Sequence, residues 1–290
     1  RDLAALFGKE LVQFAHRHGR PEGVALLLAI SAVQPSWAEQ AGAAARQLMA
    51  GGVPAPGWAA AIGRPRFAGA WLGVHPFGDQ DVLVVAFEYE GQAGHALQLL
   101  IDNNLDGMAK DIGVMADVER VLSEWHEVLP ALRFLPLDGE TAAGRMAQAL
   151  QVSDEYGPGG PMNEDFRGLR ALAKAWLRQL PAGRSGPPRE PLEEAARQAL
   201  VSDFFSSPEA TGVSHLDQAD LIASRLVDYR SDYGDGDTLR WSPAVVELCL
   251  CDWYPRKVAA DEAEIGQVAS RPAGLGALHR PAARPGGCPH

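Results

Sequence analysis

"DVLVVAFEYEGQAGHALQLLIDNN", residues Asp81 to Asn104, decides the fold class. Two runs dominated by β-branched, aromatic and apolar residues flank "GQAG" (91–94), a turn vocabulary. The reading is a β-hairpin. Period two puts Leu83, Val85, Phe87 and Tyr89 on one face of the first run and Val82, Val84, Ala86 and Glu88 on the other. In the second run, His95, Leu97, Leu99 and Ile101 share a face. Pairing of the two runs is expected to bring Glu88 near His95 and to leave Asp102 and Asp106 near Asp81.

Further strands are expected on either side. "FAGAWLGVH" (67–75) reads as a strand before the hairpin, and "KDIGVMA" (110–116) and "LRFLPL" (132–137) as strands after it. Asp117 is a natural N-cap for a helix carrying Val118, Val121, Leu122, Trp125 and Leu129 at helical spacing. "DGETAAGRMAQAL" (138–150) resumes helix.

The chain outside this region reads as helical. "DLAALFGKELVQFAHRHG" (2–19) places Leu3, Leu6, Phe7, Leu11 and Phe14 near one face. His16 and His18 fall in its last turn, where positive charge meets the negative end of the helix. "GVALLLAISAV" (23–33) reads as a buried helix and "SWAEQAGAAARQLMAGG" (36–52) as a third, stopped by its glycines, with "VPAPG" (53–57) as a connector. "SDEYGPGGPMN" (153–163) has five Gly or Pro in eleven positions and is the expected domain boundary. Beyond it Asn163 caps a helix with Phe166, Leu169, Ala173, Trp176, Leu177 and Leu180. "PAGRSGPPREP" (181–191) is a link, "LEEAARQALVSDFF" (192–205) a helix, and Ser214 with Asp217 resembles a capping box for a helix over 216–229. "SDYGDGD" (231–237) is expected to be a loop. Ser242 and Pro243 fit the N-cap and first position of a last helix ending near Pro255. Trp125, Trp176 and Trp253 are expected to be core anchors.

Totals bound the function. The 290 residues carry a net charge of −11 with 47% hydrophobic residues, so a large core is affordable. The acidic balance speaks against phosphate tracking along nucleic acid and against anionic membrane surfaces. No apolar run reaches the roughly 18–20 residues of a membrane span, and the longest, residues 23–33, lacks the basic leader and small-residue cleavage site of a signal peptide. Of three cysteines, Cys249 and Cys251 lie two apart in a helix and point in different directions, and Cys288 sits in a Pro/Gly-rich tail. No pair has zinc spacing, so all three are expected to be free thiols in a reducing cytoplasm.

Two acidic clusters are the candidate sites. "HALQLLIDNNLDGMAKD" (95–111) combines His95, Asp102, Asn104, Asp106, Lys110 and Asp111 at a strand end, where ligands often sit. Carboxylate and amide oxygens there could hold a hard cation. Asp102, Asn104, Asp106 and Gly107 match the start of a calcium loop, but Lys110 and Gly113 stand at its ninth and twelfth positions, where oxygen ligands belong. The competing reading is a tight turn, since Asn, Asp and Gly are turn residues, and it is favoured. "DYRSDYGDGDTLRW" (228–241) is the second cluster, with Asp228, Asp232, Asp235 and Asp237. Arg225, Arg230 and Arg240 could neutralise it. There is no nucleophile elbow, no paired cysteines and no glycine-rich phosphate cradle.

Residues 271–290 hold Arg271, Arg280 and Arg284 with no acid and no apolar period. They are expected to be a disordered tail. Their vocabulary is also what a one-base frameshift yields in a GC-rich gene, and the coding DNA decides between the two.

The stretches "HALQLLIDNNLDGMAKD" and "DYGDGDTLRWSPAVVELCLCDWYPRKVAADE" resemble an uncharacterised family of cytoplasmic proteins from high-GC actinobacteria. The resemblance covers about residues 60–265. It implies a cytoplasmic location and carries no activity and no functional residues.

The expected fold is α+β: a small, mostly antiparallel sheet flanked by helices, with an all-helical C-terminal domain. The expected divisions are 1–52 (helices packing on the sheet domain), 58–152 (sheet domain), 163–265 (helical domain) and 271–290 (tail). The favoured function is a non-catalytic interaction or regulatory module with a protein partner, neither nucleic acid nor membrane, and no cofactor. The alternative is a metal-assisted hydrolase using the 95–111 cluster, in which a divalent cation held by Asp102, Asn104 and Asp106 activates water and a carboxylate acts as general base, with His95, Asp102, Asp106, Lys110 and Asp111 as the catalytic candidates. Asp232, Asp235 and Asp237 are a second, separate candidate for binding a divalent cation.

Overall fold

The hairpin forms the centre of the sheet. In the computed structural model, which describes residues 3–90, 92–128, 131–184, 191–213, 218–233 and 237–257, strands β1 (Arg66–Val74), β2 (Gln80–Tyr89), β3 (Gln92–Asp102), β4 (Met108–Met115) and β5 (Arg133–Leu137) lie in the order β4-β3-β2-β1-β5. The sheet is antiparallel. β1 pairs with β2 with Leu72 opposite Leu83 and Ala70 opposite Val85, and with β5 with Leu72 opposite Leu135. β3 begins at Gln92, three residues earlier than its sequence suggests.

The helices are α1 (Leu3–His18), α2 (Pro21–Val33), α3 (Ala38–Ala50), α4 (Val118–Val128), α5 (Gly139–Tyr156), α6 (Glu164–Leu177), α7 (Glu194–Phe205), α8 (Ala219–Tyr233), α9 (Pro243–Glu247) and α10 (Tyr254–Lys257). This is the expected α+β class. No helix among the described residues is long and apolar enough to cross a membrane. The chain groups into two units. Unit 1 holds residues up to 74, 81–101 and 108–186; unit 2 holds 75–80, 102–107 and 187 onward.

In unit 1 both faces of β2 are buried, as a central strand requires. Val84 and Ala86 join Ala96 and Met115 under the apolar stripe Val118, Val121, Leu122 and Trp125 of α4. Asp117 caps that helix by accepting the Arg120 N–H at 3.1 Å. Phe87, on the opposite face, lies 5.3 Å from the Trp176 ring of α6. α5 and α6 pack on β4, and α5 also reaches β1. Leu83, Leu97, Leu99, Met146 and Leu150 are all fully buried, each worth about 1.5–3 kcal/mol of transfer free energy.

α1, α2 and α3 form a bundle whose core is Val12, Ala15, Leu27, Ala41, Ala44 and Ala45. The buried face of α1 is therefore not the one its large side chains suggest. Phe7 is 69% and Phe14 54% exposed, while Val12 and Ala15 point inward. Small side chains let helices approach closely, and α3 offers mainly alanines, so the contact selects the small face. Phe14 stacks on His18 instead, ring centroids 4.0 Å apart.

The expected boundary at 153–163 is a turn inside unit 1. Ser153 is buried within α5 and its Oγ donates to the Ala109 carbonyl at 2.8 Å. The Asn163 N–H donates to the Lys110 carbonyl at 3.1 Å, and its side chain caps α6 by accepting the Phe166 N–H at 2.8 Å. Asp154 then ties α5 to α6 through Arg170 and Lys174. Gly and Pro mark a chain reversal here, and both helices it joins stay on β4. The change of unit falls instead at 186–187. Just before it, Arg184 donates its N–H to the Glu140 carbonyl at 3.1 Å. A Cβ on Gly144 would come within 2.0 Å of the Arg184 carbonyl oxygen, so only glycine lets that strand of chain lie on α5.

In unit 2 the core is Leu226, Tyr229, Val245, Cys249, Trp253 and Tyr254, with Ile222, Trp241 and Leu250 against it. Ser242 caps α9 by accepting the Val245 N–H at 3.0 Å. The helix does not stop at Pro255: a π-helical stretch, Leu248–Trp253, leads into α10. Cys249 is buried and Cys251 exposed, as two residues two apart on a helix should be. Burial pushes the Cys249 thiol up to about 12, which makes it an inert core group. α8 runs to Tyr233, so Ser231 and Asp232 are helical rather than part of a loop. The capping box at Ser214 and Asp217, Asp235, Cys288 and the 271–290 tail lie outside the described residues.

Candidate functional site

His95 is the residue of the first cluster that reaches a cavity. It sits near the start of β3, with the Tyr89 ring stacked on it at 5.2 Å and the Trp176 ring 4.0 Å away. Glu88, expected beside it, points to the other face of β2 and pairs with Arg66 at 3.5 Å. The alternation along β2 explains this: Tyr89 and Phe87 share the face that His95 takes on β3. The Tyr89 hydroxyl lies 3.5 Å from His95 Nε2. Burial lowers the pKa of His95, favouring the neutral imidazole. Burial likewise raises that of Tyr89, against the neighbouring Trp176 indole, which lowers it.

These groups form the polar end of a pocket of about 430 Å³ in unit 1. Ala29, Ala32 and Val33 of α2 make one wall. Trp58, Ala61 and Ile62 of the segment after α3 make another. α6 contributes Leu172, Ala175 and Trp176, with Gln179 just beyond it. Among the described residues, the lining contains no Asp, Glu, Lys, Arg, Ser, Thr or Cys. A largely apolar concavity with a few convergent polar groups is the form small-molecule sites take, and this volume is in their range. The hydroxyl and the imidazole can orient a ligand by hydrogen bonding. Among the described residues, the lining offers no Ser, Thr, Cys or Lys nucleophile and no carboxylate base.

The other residues of the first cluster do not join this pocket. Asp102 ends β3, about 23 Å of strand beyond His95. Its Oδ1 accepts the Asn104 N–H at 3.0 Å, and its carbonyl accepts the Gly107 N–H at 3.0 Å. Asp106 and Gly107 both adopt left-handed backbone, at φ 55° and 77°. "DNNLDG" is thus a tight turn closed by its own side chain, the favoured reading. Lys110 and Asp111 follow on β4. Asp111 Oδ1 is buried and receives no hydrogen bond. Asp81 faces Arg145 at 3.5 Å. Asp79 is what the 102–107 turn meets: its carbonyl accepts the Asn103 N–H at 2.9 Å, and its Oδ1 accepts from Asn104 Nδ2 at 3.0 Å.

Asp79 is a hub of unit 2 that the sequence did not single out. The same Oδ1 accepts from Arg240 Nη1 at 3.1 Å and from the Ser242 hydroxyl at 2.7 Å. Arg240 also donates to the Phe77 carbonyl and, at 3.4 Å, to Asn104 Oδ1. In the second cluster, Asp228 and Asp232 are both taken by Arg197, at 3.0 and 2.6 Å, a residue of α7 far away in sequence. Arg225 stands 4.0 Å from Asp228. Asp237 Oδ1 accepts the Leu239 N–H at 3.0 Å, and its carbonyl accepts from Arg230 at 3.0 Å. Arg230 and Arg240 thus bind carbonyls and Asp79, and Arg197 does the neutralising expected of them. No group of three or more His, Cys, Asp or Glu able to hold a metal ion occurs among the described residues.

Tyr89, Trp176, Trp58 and Gln179 are the site residues that sequence reasoning missed. The available signal was the pairing of Tyr89 and His95 across a short turn, six positions apart. Trp58, Gln179 and α2 come together only in the folded chain. No family model, curated protein or solved structure matches this sequence.

Proposed function

We propose that this protein is a non-catalytic regulatory module that works by taking a small, largely apolar molecule into the pocket of unit 1, with a partner protein reading its occupancy. The observation that carries the reading is the pocket itself: apolar walls from α2, α6 and the segment after α3, closed at one end by the Tyr89–His95–Trp176 group. A cytoplasmic site of action and kinship with the actinobacterial family belong to the same proposal.

The test is a titration with the neutral dye N-phenyl-1-naphthylamine. Saturable fluorescence enhancement at one dye per chain is expected, with loss of about tenfold or more in affinity, some 1.4 kcal/mol, when Ala32→Trp fills the cavity. Equal binding by wild type and Ala32→Trp, at equal melting temperature, would show that the dye sits elsewhere and sink the reading.

The metal-assisted hydrolase draws no support from this geometry, because His95 and Asp102 stand at opposite ends of β3 and Asp102 is engaged in its turn. A melting-temperature rise with Mg²⁺, Mn²⁺, Ca²⁺ or Zn²⁺ that vanishes in Asp102→Asn would restore it, since an ion bound only by the native state stabilises that state.

A further inference from the structure

The pocket's charge and shape narrow its ligand. We infer that it selects an uncharged, flat aromatic molecule whose single hydrogen-bonding group seats against Tyr89 and His95. This rests on the reading of the pocket as a small-molecule site.

Three observations carry it. The first is the lining, which among the described residues offers no formal charge of either sign. An anion or cation entering it gives up hydration and gains no ion pair from the described lining. His95 cannot supply the missing positive charge near neutral pH, because its burial favours the neutral imidazole.

The second is the arrangement of rings. Tyr89 and His95 stack with planes 22° apart, and Trp176 meets His95 at 41°. Trp58, which also lines the pocket, leaves 38% of its surface exposed. A planar ring entering among these side chains can find offset-stacked or edge-to-face partners, which favour it beyond area burial alone. The alanines at 29, 32, 61 and 175 leave the breadth for it.

The third is the polar end. The Tyr89 hydroxyl can both donate and accept a hydrogen bond. The contact to His95 Nε2 is long, at 3.5 Å. A ligand hydroxyl or carbonyl placed there completes hydrogen bonds that the pair makes only weakly between themselves.

The experiment is a charge series on one ring system, measured near neutral pH by displacement of N-phenyl-1-naphthylamine from the full chain. The series is 2-naphthol, 2-naphthoate, 2-naphthylmethylamine and naphthalene. 2-Naphthol is expected to bind at least about tenfold tighter than the anion and the cation, and tighter than naphthalene. Tyr89→Phe, which keeps the ring, is expected to erase most of the advantage of naphthol over naphthalene, and His95→Phe to do the same by an independent substitution. Naphthoate or the amine binding as tightly as naphthol overturns the inference. So does naphthalene matching naphthol in wild type. If the dye binds and no naphthalene displaces it, the ligand class is wrong and the pocket reading stands. If the dye itself fails to bind, both fall.

Discussion

Unit 1 and unit 2 bury different chemistry. Unit 1 fills its interior with Leu83, Val85, Phe87, Leu97, Leu99, Met146 and Leu150, and its buried polar residues are Asp81 and Ser153. Unit 2, with fewer residues, buries Asp102, Arg230, Ser231 and Ser242, and its loops and helices are tied by Asp79 and Arg197. A sheet has two faces to cover and can do so with alternating apolar side chains. Short helices and turns expose many backbone ends, and side chains must satisfy them. The apolar interior leaves a pocket with almost no polar groups. The polar interior leaves Asp79, Asp228 and Asp232 already occupied. That contrast is why the pocket, and neither acidic cluster, is the candidate site.

The largest effect expected from this contrast is in the apolar unit. Phe87→Ala removes a fully buried ring that packs on Trp176 and should cost about 3–5 kcal/mol, read from the midpoint of urea unfolding. A cost below about 1 kcal/mol would mean that unit 1 is not held by its apolar core.

The polar unit is expected to respond next most strongly. Asp79→Ala leaves Arg240, Ser242 and Asn104 without their shared acceptor. The partly buried setting argues for a loss of about 2–3 kcal/mol. Asp79→Asn keeps an acceptor oxygen and should lose clearly less. Equal losses would show that packing, rather than hydrogen bonding, sets the value of this position.

Two single contacts should each be worth about 1 kcal/mol. Ser242→Ala deletes the cap of α9. Gly107→Ala meets no neighbour but places a Cβ in left-handed backbone at φ 77°, which costs roughly 1–2 kcal/mol. A neutral Gly107→Ala would break the reading of 102–107 as a tight turn.

The smallest effect is in the pH profile. His95 is held neutral in the fold, so its pKa is lower there than in the unfolded chain. The unfolded state then binds more protons as pH falls below the ordinary histidine value of about 6.5. Stability should be complete above that pH and decline as pH drops through it towards the folded-state value. His95→Gln should flatten this stretch of the melting-temperature profile and leave the alkaline side unchanged. Asp154 acts lower down: burial raises its pKa, but Lys174 and Arg170 outweigh that and hold it below the usual value. Its contribution is present at neutral pH and fades only in strong acid, so the two windows are separable.

Hydrophobic period and turn chemistry alone determined much of this protein. All five strands, the caps at Asp117, Asn163 and Ser242, and the turn at Asp102–Gly107 are local: a residue's period and its neighbours within a few positions specify them. What only the tertiary structure decided is everything that depends on which surfaces meet. The face that α1 buries follows from the alanines of α3. The place where the units divide follows from α6 packing on β4, against a Gly/Pro signal that marks only a reversal. Asp79 becomes a hub because Asn104, Arg240 and Ser242 converge on it from distant parts of the chain, and His95 becomes a pocket residue because Trp176 and α2 arrive beside it. Pairings over such separations leave no periodic trace along the chain, so the composition of a local stretch showed where acids were abundant and could not show which of them were already spoken for.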